Sequence, residues 1–264
     1  MKYPVLLDYD VEATDWDGPC ELVQCKKALH PSNMGETKYS LNPYGGCEHG
    51  CIYCFAPGHT HTDISSWRVV RVKTNIVERL SKELDFTEGC IGLGSVTDAY
   101  QAAEGRFRLS RMCLETIAKK GRSVFIITKS DLITRDIDIL RNMDATVAFT
   151  VTSPEERICR MTEPGAPTTK ERLAAAKILA DEGIKVMAFI APVLSTLEGH
   201  EDELLEMIRD SGIDTVFVDW FKTRGVSMER MERMGITGSE KAERRLYETG
   251  RRMGLEMIPP RFFG

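Results

Sequence analysis

From residue 90 onward, short β-branched or aromatic runs alternate with amphipathic stretches of helical period. The strand-like runs are Cys90–Val96, Ser123–Thr128, Thr146–Thr152, Lys185–Ala191 and Asp214–Trp220. Helical candidates lie between them, near Arg106–Lys120, Thr134–Met143, Thr168–Glu182 and Glu201–Ser211, and an earlier strand around Ser40–Pro43 precedes a helical stretch near Thr74–Leu84. Two helix starts carry explicit signals. Ser153-Pro154-Glu155-Glu156 combines a Ser cap with Pro at the first helical position, and Thr168-Thr169-Lys170-Glu171 reads as a capping box. Strands alternating with helices imply a parallel sheet, and six such units predict an α/β fold curling toward a barrel, with chemistry gathered at the C-terminal ends of the strands.

Composition narrows the class. The 264 residues are 42% hydrophobic, enough to build a sizeable core. No apolar run approaches the roughly 20 residues a membrane span needs, and the N-terminus lacks a signal-peptide pattern, so a cytoplasmic protein is expected. The formal net charge of −5 is local. Asp8, Asp10, Glu12, Asp15, Asp17 and Glu21 face only Lys2 before residue 25, and the tail from Phe221 is basic. In that tail Arg230, Arg233, Arg244, Arg245, Arg251 and Arg252 alternate with Glu at helical spacing, which fits a solvated helix face better than a phosphate site. Three segments are expected: an acidic extension over 1–37, a core over 38–220 and a helical extension over 221–264.

Eight cysteines raise the question of spacing. Without a secretion signal, clustered thiols read as metal ligands or catalysts rather than disulfides. Cys47, Cys51 and Cys54 stand as C-x3-C-x2-C within LNPYGGCEHGCIYCF. On a helix they would form an ordinary stripe, but Pro43, Gly45, Gly46 and Gly50 describe a loop instead. A zinc site would need a fourth ligand from His49, His59, His61 or a distant Cys. An iron–sulfur cluster held by three cysteines would keep one iron open.

This segment, with an aromatic before its last Cys and a place after the first strand of a βα series, resembles the radical S-adenosylmethionine superfamily. The words around it (SLNPYGGCEHGCIYCFA, VKTN, GSVTDAYQAAE, IITKSDLITRD and TVTSPEERICRMTEPGAPTTKERLAAAKILADEGI) resemble its spore photoproduct lyase-like branch over about residues 38–220. The resemblance implies a partial (β/α)6 TIM-like barrel holding a [4Fe–4S] cluster on Cys47, Cys51 and Cys54, with S-adenosylmethionine on the open iron. Tyr53 would lie near the adenine. Thr97 and Asp98 would meet the methionine part, Lys129 the cofactor carboxylate, and Thr150 and Thr152 the ribose. Reductive cleavage would give a 5′-deoxyadenosyl radical for hydrogen abstraction, with an external one-electron donor such as ferredoxin or flavodoxin.

The resemblance breaks at one position. The lyase carries a cysteine hydrogen donor three residues before the Asp of the second strand's loop, and Ser95 stands there in this chain. The substrate and the catalytic hydrogen donor therefore stay unassigned, with nucleic-acid repair or modification as one alternative and a zinc- or cluster-binding module without catalysis as another. Among the other cysteines, Cys90 begins a strand, Cys113 and Cys159 read as core residues, and the C-x4-C pair Cys20 and Cys25 is the remaining candidate for a donor or a second metal. His59 and His61 form either a metal or phosphate pair or a polar loop. Trp67, Arg68, Arg71 and Lys73 form either a nucleic-acid surface or a snorkelling strand.

Overall fold

The computed structural model describes residues 17–32, 34–219 and 226–258. Its strands, in chain order, are β1 (Cys20–Val23), β2 (Leu29–Pro31), β3 (Thr37–Leu41), β4 (Tyr44–Gly45), β5 (Val70–Lys73), β6 (Cys90–Leu93), β7 (Val124–Thr128), β8 (Ala145–Thr150), β9 (Lys185–Ile190), β10 (Thr215–Val218) and β11 (Glu256–Ile258). Eight of them make one sheet in the order β11-β10-β9-β8-β7-β6-β3-β2. All its neighbours pair in parallel except β2, which runs antiparallel to β3. The six central strands β3 and β6 to β10 are the six units expected from sequence, each joined to the next through a helical crossover. The sheet stays open, with β2 and β11 as its two edges: a partial barrel.

Alternation within the strands explains its two faces. In β7, Val124, Ile126 and Thr128 are buried while Phe125 and Ile127 are half-buried. The fully buried set faces the helical layer, where Leu109, Cys113, Leu114 and Ile117 of the helix Leu109–Lys119 recur at helical spacing. The other face lines the lumen. A cavity of about 320 Å³ lies toward the N-terminal ends of the strands, walled by Phe125, Met187, Phe189 and Phe217. Phe189 and Phe217 stack at 4.8 Å between centroids.

The capping box at Thr168 forms as expected, with Thr168 and Glu171 each bonding the other's backbone. The start proposed at Ser153 does not. Its hydroxyl accepts from the Glu155 amide at 3.1 Å, and the helix Glu156–Thr162 begins later, without a side-chain cap. The expected helix near 134–143 is a 3-10 turn, Asp131–Asp136, followed by one α turn, Ile137–Leu140.

Beyond the six, five short strands occur, of which β2 is already placed at one edge of the main sheet. β1, β5 and β4 form a small second sheet in the order β1-β5-β4, and β11 extends the main sheet after the helix Glu240–Arg252. That helix docks through Ala242, Leu246, Thr249 and Gly250, while its arginines stay exposed as expected, Arg245 and Arg252 sharing Asp202 of the helix Glu201–Asp210. Among the described residues, no helix is long and apolar enough to cross a membrane.

Candidate cluster and cofactor site

The cysteine loop leaves β3 and is fastened on three sides. From the small sheet, the Cys47 amide donates to the Trp67 carbonyl at 2.9 Å. Gly46 makes that approach with φ +78°, and a Cβ there would sit 2.5 Å from the Val69 carbonyl oxygen. From the β6 loop, the buried Gln101 spans Cys47: its Nε2 donates to the Gly46 carbonyl at 3.2 Å, and its Oε1 accepts from the Glu48 amide at 3.0 Å. From the segment after β8, the Ile52 amide donates to the Thr162 carbonyl and the Gly165 amide to the His49 carbonyl, at 2.9 and 3.0 Å. Nothing larger than Gly fits at 165, where a Cβ would lie 2.3 Å from the Glu48 carbonyl oxygen.

This fastening fixes the loop that carries Cys47, Cys51 and Cys54 while withdrawing them from water. Cys51 is buried and the other two are half-buried. Burial pushes the Cys51 thiol up to about 12 and, with the Asp98 charge adding, moves Cys47 up as well. Three thiols so placed stay protonated unless a metal supplies the missing positive charge. Among the described residues, no three His, Cys, Asp or Glu side chains converge on a single-ion position. The donor set, three thiols on a glycine-shaped loop with Lys129 and Arg230 as cationic neighbours, fits an anionic multi-iron cluster.

Behind the loop lies a buried polar network. Glu163 and Arg172, both fully buried, form an ion pair. Glu163 also accepts from the Tyr53 hydroxyl and, at 3.0 Å, from the Thr152 hydroxyl. Arg172 donates to the Thr150 carbonyl at 2.9 Å and the Pro167 carbonyl at 2.8 Å. Burial alone would raise the Glu163 carboxyl, but Arg172 and Lys129 outweigh it and hold the group below its usual range. Burial likewise opposes the Lys129 charge, yet Cys51 and Glu163 outweigh it and hold the ammonium above its usual value. That ammonium stands over the Tyr53 ring at 5.7 Å from the centroid.

The structure thus brings Tyr53, Lys129, Thr150 and Thr152 together around Glu163 and Arg172. Thr97 and Asp98 it uses differently. The Asp98 carboxylate accepts from the Thr128 hydroxyl at 2.8 Å, the Lys129 amide at 2.8 Å and the Tyr100 amide at 2.9 Å, and meets the His49 ring at 3.4 Å. Its four partners tie the end of β7, the β6 loop and the cysteine loop into one unit. Thr97 donates to the Tyr44 carbonyl at 3.2 Å. Asn42, just past β3, accepts from the amides of Val96 and Thr97 and donates to the Ser95 hydroxyl at 3.3 Å.

Asn42, Gln101, Glu163 and Arg172 were not singled out from sequence, and Arg230, read there as part of a solvated helix face, is half-buried and donates to the Cys54 carbonyl instead. Glu163 and Arg172 lie inside a recognised segment, where a Glu-Pro-Gly turn and an Arg on the buried side of a helix were the available signals. Of the alternatives, His59 and His61 are both exposed, and His59 packs edge-on to Phe55. Trp67 is buried in the 3-10 turn Ser66–Arg68 and Lys73, on β5, spends its ammonium on the Asn42 carbonyl at 2.7 Å, which leaves exposed Arg68 and half-buried Arg71 of the basic-aromatic group. Cys20 is exposed on β1, while the Cys25 backbone is held at both ends by the Asn75 side chain. Cys113 and Cys159 are buried in helices.

The sequence matches the Radical SAM superfamily over residues 41–210. It is 33% identical over 180 residues to an uncharacterized protein of Methanocaldococcus jannaschii, covering 66% of this chain and 68% of that one. Its fold is similar to spore photoproduct lyase complexed with dinucleoside spore photoproduct, with a TM-score of 0.71, 17% identity, and 91% and 82% of the two chains covered. A lyase variant with bound AdoMet and the dinucleoside photoproduct superposes at a TM-score of 0.65, with 17% identity, over 90% and 78% of the chains. The chain belongs to the radical SAM superfamily and is an enzyme of that class, which works with a [4Fe–4S] cluster and S-adenosylmethionine.

Proposed function

We propose that the chain reductively cleaves S-adenosylmethionine and directs the resulting radical at a substrate in the barrel mouth. The observation that carries this reading is the Lys129 ammonium over the Tyr53 ring, beside one buried and two half-buried cysteines on one loop. When bound, the cluster and cofactor supply one-electron chemistry: cleavage to methionine and a 5′-deoxyadenosyl radical that abstracts hydrogen. Cys47, Cys51 and Cys54 hold the cluster. Lys129, kept cationic by its surroundings, pairs with the cofactor carboxylate. Tyr53 sits against the adenine, its hydroxyl tethered to Glu163 so that the ring cannot turn away. Thr150 and Thr152 face the ribose. Thr97 and Asp98 act on the methionine end through the loop they brace. An external one-electron donor of the ferredoxin or flavodoxin kind and a cytoplasmic location accompany this chemistry.

Ser95 argues against the lyase's own reaction. Its hydroxyl accepts from Asn42 at 3.3 Å, and an O–H bond gives up a hydrogen atom far less readily than an S–H bond. A nucleic-acid substrate remains a second reading, favoured by the shared fold and by the exposed Arg68 packed over Gly50 of the cysteine loop.

The test is anaerobic reconstitution. Iron and sulfide near four of each per chain, with dithionite-dependent formation of 5′-deoxyadenosine, support the proposal. Stoichiometric zinc without cofactor cleavage sinks it. Deuterium transfer from candidate substrates into 5′-deoxyadenosine then identifies the abstracted hydrogen.

A further inference from the structure

The helix Val226–Glu232 lies beyond the segment matched by the superfamily, which ends at residue 210, yet it reaches the cysteines. Arg230 Nη2 donates to the Cys54 carbonyl at 3.1 Å, a contact between residues 176 apart in sequence. Packing holds the arginine there as well. Met231, Ile236 and Leu194 form an apolar cluster of their own, separate from the main core, against Ile52, Tyr53 and Met161. Two of those three partners lie between Cys51 and Cys54. The helix is therefore seated directly on the ligand loop.

One atom of this arrangement is unsatisfied. Arg230 Nε is buried and has no hydrogen-bond partner among the described residues. A buried donor left unpaired is costly, and native structures rarely keep one without a reason. The neighbours of the guanidinium that become charged when a metal takes their protons are Cys54 and Cys51, the ligand thiols themselves. Arginine does not lose its proton, so the positive charge is permanent.

We propose that Arg230 is a positioning and electrostatic residue for the cluster: it fixes the Cys54 backbone, and its fixed charge favours the reduced state. This rests on the cluster reading above. A cluster on three thiolates is anionic and gains one further negative charge on reduction, so a nearby permanent cation stabilises the reduced form more than the oxidised one. Lys129 is the second cation beside the cysteines, but it belongs to the barrel strands, whereas Arg230 reaches the loop from the C-terminal helix. A unit charge about 10 Å from a redox group, at an effective dielectric near 20, shifts its one-electron equilibrium by roughly tenfold. Solvent screening of a half-exposed guanidinium reduces this to about three- to tenfold.

Potentiometric titration of anaerobically reconstituted protein, read by electron paramagnetic resonance of the reduced cluster, tests the proposal on wild type, Arg230→Gln and Arg230→Lys. With the charge removed, the Gln variant becomes about three- to tenfold harder to reduce, and the midpoint falls by up to about 59 mV. The Lys variant, which keeps the charge but loses the planar fork, stays near wild type. An unchanged midpoint in a fully loaded Gln variant overturns the proposal, as does an equal fall in the Lys variant. If only the Lys variant takes up iron, its midpoint alone decides, and a fall overturns the proposal. If both variants stay folded but take up no iron, the electrostatic role is refuted. Wild type that binds no iron overturns the cluster reading itself, an outcome distinct from all of these.

Discussion

Glu163 and Arg172, nine residues apart and both fully buried, form an ion pair directly behind the Tyr53 of the cysteine loop. The pair joins the end of β8 to that loop, because Glu163 also takes the Tyr53 and Thr152 hydroxyls while Arg172 takes the Thr150 carbonyl. Burying two charges is costly, and breaking such a pair is costlier still, since it strands one of them.

Replacing Glu163 with Gln leaves Arg172 buried and unpaired. We expect a loss of about 3 kcal/mol in unfolding free energy, with much of it recovered in a Glu163→Gln, Arg172→Met double variant. Denaturant unfolding of the three proteins measures it. A single variant as stable as wild type would show that the pair does not hold the loop.

The same carboxyl sets a pH dependence. Its folded pKa lies below the ordinary value of 4.5, because Arg172 and Lys129 outweigh the effect of burial. Its contribution is therefore complete above that ordinary value and is lost as pH falls through the lower, folded one. The stability gap between wild type and Glu163→Gln should be constant from pH 7 to about 5 and should close below that. A gap that closes on going alkaline contradicts the assignment.

Lys129→Met removes the ammonium over Tyr53 and keeps most of the stem's volume. Cofactor binding should weaken by roughly thirtyfold, about 2 kcal/mol, with iron content unchanged. Equilibrium binding of S-adenosylmethionine to the reconstituted protein reads this directly. Equal affinity in the two proteins removes Lys129 from the cofactor site.

Gly46→Ala drives a Cβ to within 2.5 Å of the Val69 carbonyl oxygen at a positive φ. The backbone has to shift, at a cost of about 1–3 kcal/mol, and the Cys47 amide loses its seat on Trp67. Iron uptake should fall well below wild type, whereas Gly121→Ala, also at a positive φ (+61°) but with nothing for its Cβ to meet, should load normally. Full loading of Gly46→Ala would show that the loop tolerates the displacement.

If nucleic acid is the substrate, the electrostatic contact runs through Arg68 and Arg71, since Trp67 is buried and Lys73 is engaged. A salt-dependent gel shift should be abolished in an Arg68→Glu, Arg71→Glu variant. Retained binding moves the interface elsewhere on the surface.

The parallel core was legible in the chain because its signals are local. Continuous β-branched and aromatic runs such as Val124–Thr128 and a capping box such as Thr168 to Glu171 depend on near neighbours only. The cysteine spacing was legible for the same reason, and with it the superfamily. Short strands escaped: two residues at Tyr44–Gly45 carry no period, and only their antiparallel pairing with β5 makes them a strand.

What the sequence by itself determined is thus the alternating α/β core and the identity of three candidate ligands on one loop. The tertiary structure alone decided what surrounds them. Asp98 looks like a free carboxylate at a strand end, but folding places the Thr128 hydroxyl, two amides and His49 around it and makes it a brace. Glu163 and Arg230 reach the site from 110 and 176 residues beyond their partners Tyr53 and Cys54, and Arg172 joins it through Glu163. Burial of a charge, and the partner that makes it tolerable, belong to the packed chain, because both depend on which distant segments exclude water from the same place.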